Sequence, residues 1–457
     1  FYDASRNEII KVGEELFWGI HNAMQNDFWH FEEEKIFDEY SELFDCGYFH
    51  TLQIDKLEHP ETNNISVYLE KKIDGIILQI TQQCNLRCNY CVYSENSYNS
   101  QRPHSSKIMC YDMAIKALDF LYDHSYESKD VIIGFYGGEP LLEFDLLKRI
   151  VSYANDKFSG KQITYTITTN GTLLSKEVID FLSKNDISLT ISLDGPEIIH
   201  DGNRIFRDSN KGSFRVVKRN IDKMWEHNPA YAKTVSINMV VDPNNDFSLI
   251  NSIFDDKNIR KLTFQHSSVE IEDGWIGSSE KYLQEASYHE FLSYMMEMNR
   301  VHSKKVAKIS RDEMESLKFE IARMEYSPTH KIGAPSGPCV PGKKRLFCNV
   351  DGNLFPCERV SEKAECMNIG NITSGFELKK VNALLNISRM NNACKSCWAF
   401  SLCKTCAKKV EQNGQLSLNR MHKNCTMAKS DAESLIRSKI LLSELTIHTA
   451  KMWSVIK

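Results

Sequence analysis

Apolar positions along the 457-residue chain change their spacing as the chain proceeds, and each change marks a new kind of structure. From Phe1 to Val12, two short apolar stretches flank the polar turn Ala4-Ser5-Arg6-Asn7, which predicts a hairpin. Glu15, Leu16, Phe17, Ile20 and Met24, and then Phe31, Ile36, Tyr40 and Leu43, recur at helical spacing and predict two helices. From Gly75 the pattern switches to short β-rich runs at Ile76–Ile80, Val131–Tyr136, Ile163–Thr169, Ser188–Leu193, Val235–Val241 and Leu262–Gln265. Amphipathic stretches at Asp112–Leu121, Glu143–Tyr153, Lys176–Leu182, Phe214–Trp225 and Phe247–Phe254 lie between them. Six βα units predict a parallel sheet, open or closed into part of a barrel, with reactive groups at the carboxyl ends of its strands. A polar helical segment over about 279–326 and the Pro/Gly-rich stretch Ser327–Gly342 lead to a cysteine-rich region, and Met427 to His448 has the spacing of a closing helix.

Composition removes several classes. Hydrophobic residues are 42% and charged residues 26%, and no apolar run reaches the roughly 18 residues of a membrane span, so a soluble globular chain is expected, without a membrane partner. The formal net charge of −5, from 56 basic and 61 acidic residues without a long single-sign block, disfavours nucleic acid as the principal ligand.

The 14 cysteines change the picture most. Cys46 and Cys110 stand alone, Cys84, Cys88 and Cys91 form one group, and the rest crowd between Cys339 and Cys425. Clustered thiols at short spacing read as metal ligands, which must be reduced thiolates, so the expected compartment is the cytoplasm. Cys46, Cys110 and Cys366 read as ordinary small buried residues. Cys84-Asn-Leu-Arg-Cys88-Asn-Tyr-Cys91 follows the first β run directly. Three thiolates leave one iron of a [4Fe–4S] cluster open to a substrate or cofactor, whereas a zinc knuckle would want a fourth ligand that the neighbouring sequence does not offer.

This CxxxCxxC loop, with Tyr90 before its third cysteine, resembles the signature of the radical S-adenosylmethionine (SAM) superfamily. Gly137-Gly138-Glu139-Pro140 after the second strand resembles the family motif that binds the SAM amino group, and Thr169-Asn170-Gly171, Ser192-Leu193-Asp194-Gly195 and His200-Asp201-Gly202-Asn203-Arg204 resemble further elements. The resemblance implies that Ser192 and Arg204 hold the SAM carboxylate. The downstream cysteines resemble the SPASM extension of radical SAM peptide and protein maturases: Cys339, Gly352 and Cys357, then Cys394, Cys397, Cys403, Cys406 and Cys425, with two rather than three residues between Cys403 and Cys406. It implies an outer auxiliary cluster on Cys394, Cys397, Cys403 and Cys425 and an inner one on Cys339, Cys357 and Cys406. Cys348 is the one candidate for a fourth inner ligand, and its strand-like setting, Arg345–Val350, favours a buried thiol. A zinc ribbon at Cys394–Cys406 stays open, although it leaves Cys339, Cys357 and Cys425 unexplained.

The whole chain looks most like thioether-forming maturases of the sactipeptide and ranthipeptide type. The fold this implies is α/β: a winged-helix-like peptide-recognition domain over 1–72, a partial (β/α)6 TIM-like barrel over 73–270, a helical bridge over 271–334, a SPASM domain over 335–430 and a C-terminal helix over 431–457. The implied cofactors are SAM and three [4Fe–4S] clusters. The implied partners are a Cys-rich precursor peptide, captured through its leader, and an external one-electron reductant. Two other readings remain: an anaerobic sulfatase-maturating type of oxidation at Cys or Ser, and a non-enzymatic zinc protein that binds peptides.

Overall fold

A computed structural model describes residues 1–26, 34–93, 101–102, 104–269, 277–324, 329–335 and 339–455; Phe31, positions 325–328 and positions 336–338 of the sequence expectations lie outside them. The chain opens with strands β1 (Tyr2–Asp3) and β2 (Glu8–Ile9), an antiparallel pair. Asp3 closes the turn by accepting from the Ser5 and Arg6 amides at 2.9 and 3.1 Å, and Asn7 takes the left-handed φ of 53° that asparagine tolerates. Helix α1 (Glu14–Asn26) buries Leu16, Ile20 and Ala23 and exposes Phe17, Trp18 and Met24; α2 (Glu34–Asp45) follows. The stretch after them is woven into the rest of the molecule. Leu52, Ile54 and Leu57 of strand β3 (Lys56–Leu57) and its approach pack with Cys394, Phe400 and Met421, while Ile65 and Leu69 of α3 (Ile65–Lys71) join the main core.

All six expected strands form, five with ends within one residue of the pattern and the last running three residues past the expected Gln265. In chain order come β4 (Gly75–Thr81), the short β5 (Leu86–Cys88), α4 (Tyr111–His124), β6 (Asp130–Gly137), α5 (Phe144–Lys157), β7 (Gln162–Thr169), α6 (Lys176–Lys184) and β8 (Ser188–Ser192). Then follow α7 (Glu197–Asn203), β9 (Arg204–Phe206), α8 (Phe214–His227), α9 (Pro229–Ala232), β10 (Ser236–Val241), α10 (Phe247–Asn251) and β11 (Thr263–Ser268). Strands β4, β6, β7, β8, β10 and β11 lie side by side in that order, all parallel. Strand β4 is buried along nearly its whole length because chain covers both of its faces, which is why it reads as a continuous apolar run rather than an alternation. Each fully buried Phe, Ile or Leu of this core contributes about 1.5–3 kcal/mol, and Phe135→Ala would cost about 3–5 kcal/mol.

Helices α11 (Glu280–Glu297) and α12 (Lys308–Ala322) bridge to β12 (Ile332–Gly333), which pairs in parallel with β3. The cysteine-rich region then returns to the central sheet. Strand β13 (Leu346–Cys348) lies parallel to β4, pairing Leu346 with Ile76 and Cys348 with Leu78, and β14 (Asn353–Phe355), β15 (Gly370–Asn371) and β16 (Gly375–Phe376) extend it antiparallel to ten strands. Helices α13 (Leu378–Leu385) and α14 (Ala407–Val410) precede α15 (Leu418–Val455). Helix α15 starts nine residues before the expected Met427: its first two turns bury Met421 in the cluster of Leu52, Ile54 and Phe400 and Asn424 against the Thr405 hydroxyl, a mixed pair that does not continue an apolar spacing. Among the described residues no helix is long and apolar enough to cross a membrane.

Candidate active site

The loop carrying Cys84, Cys88 and Cys91 leaves the carboxyl end of β4 and is fixed by neighbouring strand ends. From β6, the Gly138 amide donates to the Thr81 carbonyl and the Glu139 amide to the Gln83 carbonyl, both at 2.8 Å. The backbones are so close that only glycine fits. A Cβ on Gly137, whose φ is +144°, would stand 2.3 Å from the Thr81 oxygen, and one on Gly138 would stand 2.0 Å from the Gln83 oxygen. Glu139 is fully buried and accepts from the Thr169 hydroxyl at 2.7 Å, the Asn170 amide at 2.7 Å and the Leu141 amide at 3.1 Å. Burial raises its carboxyl above the ordinary value against the pull of those donors. From β7, the Asn170 side-chain amide donates to the Asn85 side chain at 2.8 Å and reaches the Cys84 sulfur at 3.8 Å.

The other side of the loop is clamped by a second sheet. Strands β5 and β9 pair antiparallel and set Cys88 opposite Arg204, and the Asn89 amide donates to the Asn203 carbonyl at 3.2 Å. Asp194, two residues past the end of β8, is the hub. It accepts from Arg204 Nε at 2.8 Å and Nη2 at 3.2 Å, from the Val240 amide at 3.1 Å, and from the Tyr90 hydroxyl. The Arg204 guanidinium also lies 5.4 Å from the Tyr90 ring centre. Ser192 is buried at the end of β8. Arg204, expected to hold a carboxylate of SAM, thus already spends two nitrogens on Asp194. Burial alone would lower its pKa, but Asp194 and Tyr90 keep it firmly charged. His200 is fully buried with Nε2 at 2.9 Å from the Ser213 hydroxyl, and burial, then Arg204, depresses its imidazole to about 3.

The thiols themselves fall into three sets. Burial pushes Cys84 up to about 12, with Glu139 and then Cys91 adding to the shift, and raises Cys88 further, where Cys91 and Cys84 again contribute. Cys339 is exposed at the surface, yet crowding by surrounding atoms and then the charges of Cys357 and Cys406 raise its thiol. Cys394 is pushed up to about 12 by burial, followed by Cys425, Cys397 and Cys403, and those four thiols line one cavity with Phe400, Met421 and Lys429. Thiols raised in this way stay protonated at neutral pH unless a metal supplies the opposing charge, and sulfur-only donor sets suit iron–sulfur or zinc centres. Among the described residues no group of three or more His, Cys, Asp or Glu closes around a single-ion position. Cys348 is fully buried in β13 and raised to about 12 by burial and then Glu362. The expectation of three ordinary buried thiols needs correction: Cys46 and Cys110 are exposed and Cys366 is half-buried. Cys46 follows the end of α2 and Cys110 is the N-cap of α4, positions from which a short side chain reaches no core.

Residues 78–255, from the middle of β4 to beyond α10, match the radical SAM superfamily. Over that segment, which carries the Cys84–Cys91 loop, Glu139, Asp194 and Arg204, the chain is similar to radical SAM proteins. The chain is 40% identical over 129 residues to an uncharacterized protein, MJ0907, of Methanocaldococcus jannaschii, and 26% identical over 230 residues to the radical SAM cyclopropyl synthase TigE of Paramaledivibacter caminithermalis. Those two alignments cover 28% and 47% of this chain and 41% and 48% of the relatives, so the chain spans under half the length of each. It is 25% identical over 372 residues to a cysteine-type anaerobic sulfatase-maturating enzyme of Clostridium novyi, covering 75% of this chain and 90% of that one. The solved structure of native anSMEcpe with bound AdoMet shares the fold, with a TM-score of 0.57 at 20% identity over 80% of this chain and 99% of that one.

Two features of this segment escape motif reading. Asp194 stands inside a recognised motif, yet its role as the junction of Tyr90, Arg204 and β10 depends on contacts up to 104 residues apart in sequence. The β5–β9 pair is three residues long on each side, too short to leave a periodic signal.

Proposed function

We propose that the chain is a radical SAM enzyme that modifies a ribosomally made, Cys-rich peptide by joining cysteine sulfur to carbon in thioether bonds. The observation that carries this reading is the sorting of ten thiols into three sets, the first with three members and the last with four. Cys84, Cys88 and Cys91 would hold a [4Fe–4S] cluster with one iron left for SAM, and Cys339, Cys357 and Cys406 an inner auxiliary cluster. Cys394, Cys397, Cys403 and Cys425 would hold an outer one. Bound at the first site, the cluster and SAM supply one-electron chemistry able to remove hydrogen from carbon, with an external reductant providing the electron.

The protein's own share is positioning. Gly137 and Gly138 let β6 close against the loop, Asp194 locks Tyr90 and Arg204 under it, and Glu139 ties it to β7. Three thiols at the inner site would leave room for a substrate thiolate. Among the described residues β1 and β2 pair only with each other, so the hairpin offers a strand edge to an extended leader peptide.

A second reading, oxidation of a Cys or Ser in a sulfatase, is favoured by the alignment that spans 90% of the Clostridium novyi enzyme. Anaerobic co-expression with a Cys-rich peptide and with a sulfatase, followed by mass spectrometry, separates the two. Loss of hydrogen in pairs from the peptide, with crosslinked fragments, supports thioether formation; an aldehyde on the sulfatase alone supports the second reading. A colourless, zinc-loaded protein would contradict both.

A further inference from the structure

Arg102 is the largest fully buried side chain of the described residues, and none of the chemistry above uses it. Its Nε lies 2.9 Å from Glu362 Oε1, and its Nη2 donates to the Glu358 and Val360 carbonyls, the latter at 3.1 Å. The guanidinium sits 4.5 Å from the Phe347 ring centre, 5.5 Å from Tyr93 and 5.9 Å from Tyr136. Glu362 is held in turn by the Gln79 side-chain amide at 2.6 Å and the Asn349 side-chain amide at 3.0 Å. Gln79 also donates to the Tyr93 hydroxyl at 3.0 Å and accepts from the Val350 amide at 3.1 Å.

This network joins two segments that are far apart in sequence and adjacent to different cysteine sets. On one side, the Arg102 amide donates to the carbonyl of Val92, the residue after Cys91. On the other, Glu358 follows Cys357 directly, and the Glu362 amide donates to the Gln101 carbonyl at 3.1 Å. A fully buried cation with one carboxylate and two carbonyls gives a fixed geometry, because losing any partner leaves charge stranded away from water.

We propose that Arg102, with Glu362 as its counter-charge, is a positioning residue that fixes the segment carrying Cys357 against the loop carrying Cys91. The clamp sets the separation of the radical-generating and inner auxiliary sites, a consequence that rests on the reading that both sets hold clusters.

The test uses the full-length, anaerobically reconstituted protein and three variants: Arg102→Gln, Arg102→Lys, and the charge-neutral pair Arg102→Met with Glu362→Leu, which removes both buried charges together. Hydrogen exchange is expected to rise by about tenfold or more at 101–102 and 358–364 in the Gln and paired variants, while β4 and β6 keep their protection. Arg102→Lys, which keeps the charge, should recover part of that protection. In the same samples, iron per chain should hold, and the magnetic interaction between the reduced first and inner clusters should weaken. Unchanged local exchange in the folded paired variant overturns the clamp. Local exchange that rises as expected in a protein whose wild type holds iron for one cluster only supports the clamp and refutes the inner-cluster reading.

Discussion

The Cys84–Cys91 loop and the outer cysteine set solve the same problem, gathering thiols, by opposite means. Around Cys84, Cys88 and Cys91 the protein supplies its own scaffold: the backbone of β6, the side chains of β7, the β5–β9 pair and the Asp194 hub each bond to the loop. Around Cys394, Cys397, Cys403 and Cys425 the chain is mostly short turns and the first two turns of α15, and hydrogen bonds to sulfur are few. The Asn391 side chain reaches Cys425 at 3.9 Å, and the Cys403 thiol and Thr405 hydroxyl are 3.3 Å apart. The difference teaches that the first site is preorganised by the fold, whereas the outer one depends on what it binds.

Removing metal should break the symmetry between the two regions most visibly. Chelation of the reconstituted protein is expected to cost residues 394–425 most of their hydrogen-exchange protection while β4, β6 and β7 keep theirs; equal loss in both regions would contradict the contrast. Gly138→Ala should act the other way round. Its Cβ has no space beside the Gln83 carbonyl, so SAM cleavage should fall by about a hundredfold or more while roughly two thirds of the iron stays bound. Asp194→Asn strands the buried Arg204 charge and should cost about 3–5 kcal/mol of stability, readable as a lowered thermal midpoint.

A smaller effect sharpens the electrostatics of the preorganised side. His200 titrates near 3 when folded, against about 6.5 unfolded, so below pH 6.5 the unfolded chain binds the extra proton. Its contribution to stability therefore falls as pH drops from about 6.5 toward 3, by at most about 1.4 kcal/mol per pH unit. His200→Gln should lose less thermal stability than the wild type between about pH 7 and pH 5.5 under the same anaerobic conditions. Equal losses would mean that His200 is not held neutral.

The same contrast explains what could be read from the sequence. Of the six parallel strands, β4 was legible as a compact apolar run because both of its faces are covered, and β7 and β10 as β-rich runs because alternate residues pack on the core. The glycines of Gly137-Gly138 were legible as a motif because the chain has no alternative there. The joining of β13 to β4 was not, since a three-residue strand is set by its partner 270 residues away rather than by its own pattern. Helix α15 was shortened in the reading because its first two turns bury one apolar and one polar residue, Met421 in the cluster of Leu52, Ile54 and Phe400 and Asn424 bonded to Thr405, rather than a continuous apolar stripe. Cys46 and Cys110 were misread because the small size that lets a cysteine fit a core also lets it sit in an exposed turn or cap.

The central claim is that the first set of three thiols is a separate, radical-generating site while the downstream sets hold their own metal. Replacing Cys84, Cys88 and Cys91 together by Ala, reconstituting anaerobically and measuring iron and reductive SAM cleavage on the same sample tests it most directly. The account predicts that iron falls from about 12 to about 8 per chain and that SAM cleavage is abolished. Undiminished cleavage, or loss of all the iron, would contradict it.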